Sequence, residues 1–208
     1  VQKKKIFSTI RKYADEATLD MGERLGSPAM CQEAGLVRRN VSLLMVAPNK
    51  STSFICGNTT PGIEPNRSNV FVKALAGIQT VVKNKYLEEL LESKGMNNPE
   101  VWNEIADNLG SVKSLNFLTA EEKSVFKTAS EISPKDMIDL ASDRQEYIDM
   151  SQSLNLFNRP NYTLKDIYDI HMYALDKGIK TLYYFYPQVH AAFEQEGEKW
   201  DTCESCQD

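Results

Sequence analysis

A chain of 208 residues with 41% hydrophobic and 25% charged side chains has the composition of a soluble globular protein, long enough to bury a core. A net charge of −5 excludes the basic face of a general nucleic-acid binder, and no apolar run approaches the roughly 20 residues of a membrane span. With no signal-peptide pattern at its start and only Cys31, Cys56, Cys203 and Cys206, too few and too uneven for a secreted disulfide framework, the chain is expected to work in the cytoplasm.

Helical signals come first. Ile6, Ile10, Tyr13, Ala14 and Ala17 recur at helical spacing and predict an amphipathic helix. Residues 22–39 read as irregular, broken by Gly22, Gly26, Pro28 and Gly35. The run 41–46 is nearly all apolar and too short for a helix, which predicts a strand buried on both faces. A loop rich in Ser, Thr, Asn and Gly follows from Ala47 to Pro65, and 69–72 predicts a short strand. Helices are expected around Tyr86–Leu91 and Val101–Ala106. Thr119 with Glu122 is a capping box, and Ser133-Pro134 with Asp136 opens the helix that carries Met137, Leu140, Ala141, Arg144 and Ile148 on one face. The last helix starts at Thr163 with Asp166 three residues on, and its apolar face reads Leu164, Ile167, Tyr168, His171, Met172 and Leu175. Gly178 stops it, and 179–186 predicts the last strand. Two or three strands among helices indicate part of an α/β sheet, which must complete its edges elsewhere.

Three segments carry chemistry. Pro48-Asn49-Lys50-Ser51-Thr52-Ser53 stands at the C-terminal end of the first strand, where α/β folds place ligands, and its hydroxyls and backbone N–H groups suit either a capped turn or a bound anion. Tyr183 and Tyr184 fall in the last strand, where neighbours point to opposite faces, so regular strand geometry would keep their rings apart. The polar tail ends in Cys203-Glu204-Ser205-Cys206, a spacing that serves a redox pair or half a metal site. His171, on the apolar face of its helix, reads as a satisfied core histidine, and Cys56 as a packed thiol.

These segments together resemble the large subunit of class I ribonucleotide reductase. The resemblance rests on the Pro48–Thr52 loop with Gly57-Asn58 and Gly62-Ile63-Glu64-Pro65 downstream, on Gly178-Ile179-Lys180-Thr181-Leu182-Tyr183-Tyr184, and on the terminal cysteine pair. The run from Ser142 to Asn155 also resembles the family and reads as scaffold. The fold implied is the helix-rich C-terminal part of a ten-stranded α/β barrel over residues 1–189, with a flexible redox-active tail over 190–208. The resemblance assigns Asn49, Lys50, Ser51 and Thr52 to the phosphates of a ribonucleoside diphosphate. It makes Tyr183 and Tyr184 a radical relay, and Cys203 and Cys206 the mobile dithiol that re-reduces the active site. Implied partners are an N-terminal large-subunit piece with the radical cysteine, a small subunit whose di-metal centre supplies the radical, and thioredoxin or glutaredoxin. No metal or cofactor is expected in this chain. The sequence lacks the family's Asn-x-Cys-x-Glu loop and its second active-site cysteine pair, so activity is expected only in complex. The competing reading is a non-catalytic module that binds metal or a partner through the terminal cysteines.

Overall fold

A computed structural model describes residues 2–49, 52–57, 60, 62–75, 78–158 and 162–187. Lys50, Ser51, Cys203 and Cys206 lie outside these residues, as does the whole expected tail. The elements in chain order are α1 (Gln2–Leu25), α2 (Ala29–Glu33), α3 (Thr52–Ile55), β1 (Val70–Leu75), β2 (Ile78–Lys83), α4 (Lys85–Ser93), α5 (Pro99–Asp107) and α6 (Ala120–Val125). A 3-10 turn at Ala129–Glu131 leads to α7 (Pro134–Gln145), β3 (Leu156–Asn158), α8 (Leu164–Asp176) and β4 (Phe185–Pro187). The described strands pair as two small sheets, antiparallel β1–β2 and parallel β3–β4. No described helix is long and apolar enough to cross a membrane.

Two compact units divide the chain, residues 2–66 with 129–187 and Arg67–Thr128. In the first unit the Ala129 N–H donates to the Asn66 carbonyl at 2.9 Å, which pins together the two ends between which the second unit is inserted.

The inserted unit closes its own core. Asn84, Asn98 and Thr119 cap α4, α5 and α6, each accepting a backbone N–H of the first turn. Leu87, Leu91, Trp102, Ile105, Val112 and Leu115 are buried together, each worth about 1.5–3 kcal/mol of transfer free energy. The buried Asn69 amide donates to the carbonyls of Gly110 (2.9 Å) and Phe126 (2.8 Å), so the loop ends are tied by satisfied polar bonds. The strand expected at 69–72 is longer and belongs to a hairpin. Its partner β2 shows in the sequence only as the β-branched run Thr80-Val81-Val82.

The larger unit holds the tyrosine pair and the described residues of the Ala47–Pro65 loop. Its core gathers Ile138 and Ala141 of α7, Leu156 and Phe157 of β3, and Ile170 and Ala174 of α8. Helix α1 is tied to α7 and its following turn by charge, with Lys3 2.8 Å from Asp143 and Arg11 2.6 Å from Asp149. Only Thr18 and Gly22 of α1 are buried. The Thr18 carbonyl accepts the Arg39 N–H at 2.9 Å, and a Cβ at Gly22 would stand 2.7 Å from the Arg38 Cα, so this close crossing needs glycine.

Several expectations are corrected here. The run 41–46 is extended but not a two-sided strand: it bonds along one edge to residues 150–153, with a single parallel bridge Val46–Gln152, and Val41 and Met45 are exposed. The stretch 22–39 contains the end of α1 and all of α2. The last strand covers only Phe185–Pro187. On α8 the capping box at Thr163 and Asp166 is present, but the buried side is Ile170 and Ala174. Leu164, Tyr168, Met172 and Leu175 face outward, and His171 is exposed with its ring 5.7 Å from Phe185. Two apolar stripes run along this helix, and contact with α7 and β3 selects the narrower one. Cys56 is exposed rather than packed.

Candidate functional site

The tyrosine pair owes its geometry to its two ends. Helix α8 stops at Gly178, whose φ of +73° is left-handed backbone. The N–H groups of Gly178 and Ile179 then return to the carbonyls of Leu175 (2.9 Å) and Ala174 (3.0 Å). This turn reverses the chain and sends 180–187 alongside residues 154–158. The Lys180 ammonium donates to the Asp149 carbonyl, which fixes the start of the run.

From there the pairing is irregular. The Tyr183 N–H donates to the Leu154 carbonyl at 2.9 Å, and the Leu156 N–H donates to the Tyr184 carbonyl at 2.8 Å. Between these bonds Tyr183 and Tyr184 both stand against the single residue Asn155, the two-against-one count of a β-bulge. The displaced Tyr184 N–H donates instead to the Asn155 side-chain oxygen at 3.3 Å. The bulge removes the strict alternation of a strand, and the two phenol rings lie 4.1 Å apart at 47°. The expectation of separated rings fails because the strand begins only after the pair.

Asn155 is itself held. Its backbone N–H donates to the carboxylate of Glu64, a buried acid from the Gly62-Ile63-Glu64-Pro65 turn. Thr60 Oγ1 shapes that turn by donating to the Glu64 carbonyl at 2.7 Å. Arg144 is buried nearby on α7 and donates to Gln152 at 3.0 Å. Burial pulls the Arg144 guanidinium down from its ordinary value, while the charges of Glu64 and Asp143 pull it back up. The Gln152 amide completes its bonding with the carbonyl of Ala141 (2.9 Å) and the side chain of Gln145 (3.1 Å). Residues 142–155, read from sequence as scaffold alone, therefore include the residue that holds Tyr184. Only their similarity to the family segment pointed to them, because the contact spans 29 positions.

A second polar knot fixes the segment that leads to the loop at Pro48–Asn49. The Asp149 carboxylate accepts the N–H groups of Leu43 (2.6 Å) and Leu44 (3.3 Å) and the Arg11 guanidinium (2.6 Å). Burial works against its charge, but those three donors hold the carboxyl below the ordinary carboxylate range. Beyond Val46 the loop reaches Asn49, whose exposed side chain donates to the Ala47 carbonyl at 3.3 Å. The Asn49 carbonyl accepts the Ser53 N–H at 3.0 Å and the Thr52 hydroxyl at 3.4 Å, so α3 winds directly out of the loop. Both Asn49 and Thr52 are exposed.

A family model described as the ribonucleotide reductase barrel domain matches residues 7–185. The chain is 41% identical over 185 residues to the ribonucleoside-diphosphate reductase large subunit of Invertebrate iridescent virus 3, covering 88% of this chain and 29% of that protein. It is 37% identical over 149 residues to the corresponding large subunit of Caenorhabditis elegans, covering 71% of this chain and 18% of that protein. Among solved structures it resembles the class Id ribonucleotide reductase alpha subunit of Actinobacillus ureae, with a TM-score of 0.80 and 38% identity over 89% of this chain and 34% of that one. The chain thus spans about a third or less of the length of these relatives.

Proposed function

Because the chain belongs to the ribonucleotide reductase barrel-domain family, we propose that it acts as one part of a class I large subunit that reduces ribonucleoside diphosphates to deoxyribonucleotides by a radical mechanism. The observation that carries this reading is the tyrosine pair, with rings 4.1 Å apart in a bulge secured by Asn155. A phenol can lose an electron and a proton together, and its ordinary pKa of about 10 keeps the proton in place at rest. Adjacent rings let a radical pass between Tyr183 and Tyr184 without either side chain moving. In this reading the small subunit delivers the radical from its di-metal centre, and the pair hands it to a cysteine in the remainder of the large subunit.

The other segments take complementary roles. Asn49, Lys50, Ser51 and Thr52 hold the substrate diphosphate, chiefly through backbone N–H groups. Cys203 and Cys206 re-reduce the active site by thiol–disulfide exchange and are themselves reduced by thioredoxin or glutaredoxin in the cytoplasm. The exposed apolar side chains Val41 and Met45 support a barrel completed by the remainder of the large subunit.

The test is ribonucleoside diphosphate reduction by this chain alone, and then with the complementary large-subunit piece and the small subunit. Activity is expected only in the full mixture. The double variant Cys203→Ser/Cys206→Ser should lose turnover driven by thioredoxin and keep turnover driven by dithiothreitol. No activity in any mixture, with zinc bound at the terminal cysteines, would replace this reading with that of a metal-binding module.

A further inference from the structure

The sequence singles out two tyrosines at this site, and the structure places a third beside them. Tyr184 directly precedes β4 and Tyr186 lies within it, two residues on. Their ring centroids lie 5.3 Å apart at 50°, within the range of direct aromatic contact. Tyr183 lies 4.1 Å from the same Tyr184 ring, so Tyr184 is in aromatic contact with both other phenols. Tyr186 is fixed by pairing: it is opposite Phe157 in the parallel β3–β4 register, and the two rings stack at 5.9 Å and 21°. Phe157 is buried, and Tyr186 packs against the same core.

We infer that Tyr186 is a third redox-active tyrosine, a side branch that exchanges the radical with Tyr184. This rests on the relay reading of Tyr183 and Tyr184. In the step, a phenoxyl radical on Tyr184 takes one electron from Tyr186. The Tyr184 oxygen gains a proton as the Tyr186 hydroxyl releases one. One neutral phenol and one neutral phenoxyl radical stand on each side of the exchange, so no further oxidant or reductant is consumed. The two groups are chemically identical, so intrinsic reactivity favours neither and the surroundings set the balance. Phe157, stacked on Tyr186, has no hydroxyl to lose a proton and is far harder to oxidise, so the radical does not pass on to it. Partial burial beside that ring makes Tyr186 a sheltered holding position.

The experiment replaces Tyr186, and separately Tyr184, with 3-aminotyrosine, a conservative and more easily oxidised phenol. Each variant is placed in the assembled enzyme of this chain, the remaining large-subunit piece and the small subunit. Samples are frozen after addition of a ribonucleoside diphosphate and read by electron paramagnetic resonance. An aminotyrosyl radical is expected at both positions, and Tyr184→Phe should abolish the signal at position 186. A signal at 184 with none at 186 overturns the branch, as does a signal at 186 that survives Tyr184→Phe. Silence at both positions overturns the relay reading itself, and the branch falls with it.

Discussion

The two units bury their apolar side chains to very different degrees. In Arg67–Thr128, the large apolar residues described as exposed are Val81, Tyr86 and Val125. In the other unit they recur along the whole chain, from Ile6 and Ile10 on α1 through Val41 and Met45 to Leu164, Tyr168 and Leu175 on α8. The inserted unit is a small folded body with capped helices and a sealed core. The larger unit holds the tyrosine pair and leaves apolar surface open, as expected of one part of a barrel. Where a core closes, hydrophobic burial holds the fold. Where it stays open, polar knots such as half-buried Asp149 and buried Glu64 carry more of the positioning.

That contrast can be broken by substitution. The largest loss is expected for Asp149→Ala, which strips the acceptor from the Leu43 and Leu44 N–H groups and from Arg11, at a cost of about 3 kcal/mol. Chemical denaturation of the chain would read it. The acid limb has a definite sign. The folded Asp149 pKa lies below its unfolded value of about 3.9, so its stabilisation is fully present above that value and is lost as pH falls through the lower folded pKa. Asp149→Asn should flatten that part of the stability profile, and an unchanged acid limb would mean that the knot is not structural. Next comes Glu64→Ala, at about 2 kcal/mol, because the Asn155 N–H loses its acceptor and Arg144 its neighbouring anion. In the assembled enzyme it should lower kcat more than it raises KM, with Glu64→Gln recovering part of the loss. The smallest effect belongs to the closed unit: Thr119→Ala removes one N-cap at about 1 kcal/mol and leaves reductase turnover alone. A loss of turnover in that variant would show that the two units are not separable in function.

The same contrast explains what could be read in the sequence. The caps at Thr119, Ser133 and Thr163 are local, set by residues within three positions, and all three are present. The helices that follow them were legible for the same reason. The face of α8 was not, because Leu164, Tyr168, Met172 and Leu175 make as regular a stripe as a core would. Only contact with distant α7 and β3 shows that Ile170 and Ala174 are the buried pair. The run 41–46 misled in the same way, since apolar composition announces burial without saying what supplies it. At the site, the resemblance brought Tyr183 and Tyr184 forward, but neither Asn155 nor Glu64 could be placed beside them. Their contacts join positions 29 and 91 residues apart. Tyr186 stands two residues past the motif, inside the expected last strand, and became interesting only once its ring had a position.

The most direct measurement of the central claim is steady-state reduction of a ribonucleoside diphosphate by the assembled enzyme carrying Tyr184→Phe. The phenylalanine ring preserves the packing and removes only the hydroxyl. Turnover should fall at least about a thousandfold, equivalent to about 4 kcal/mol of barrier, while substrate affinity stays the same. Turnover within about twofold of the native enzyme would contradict the relay.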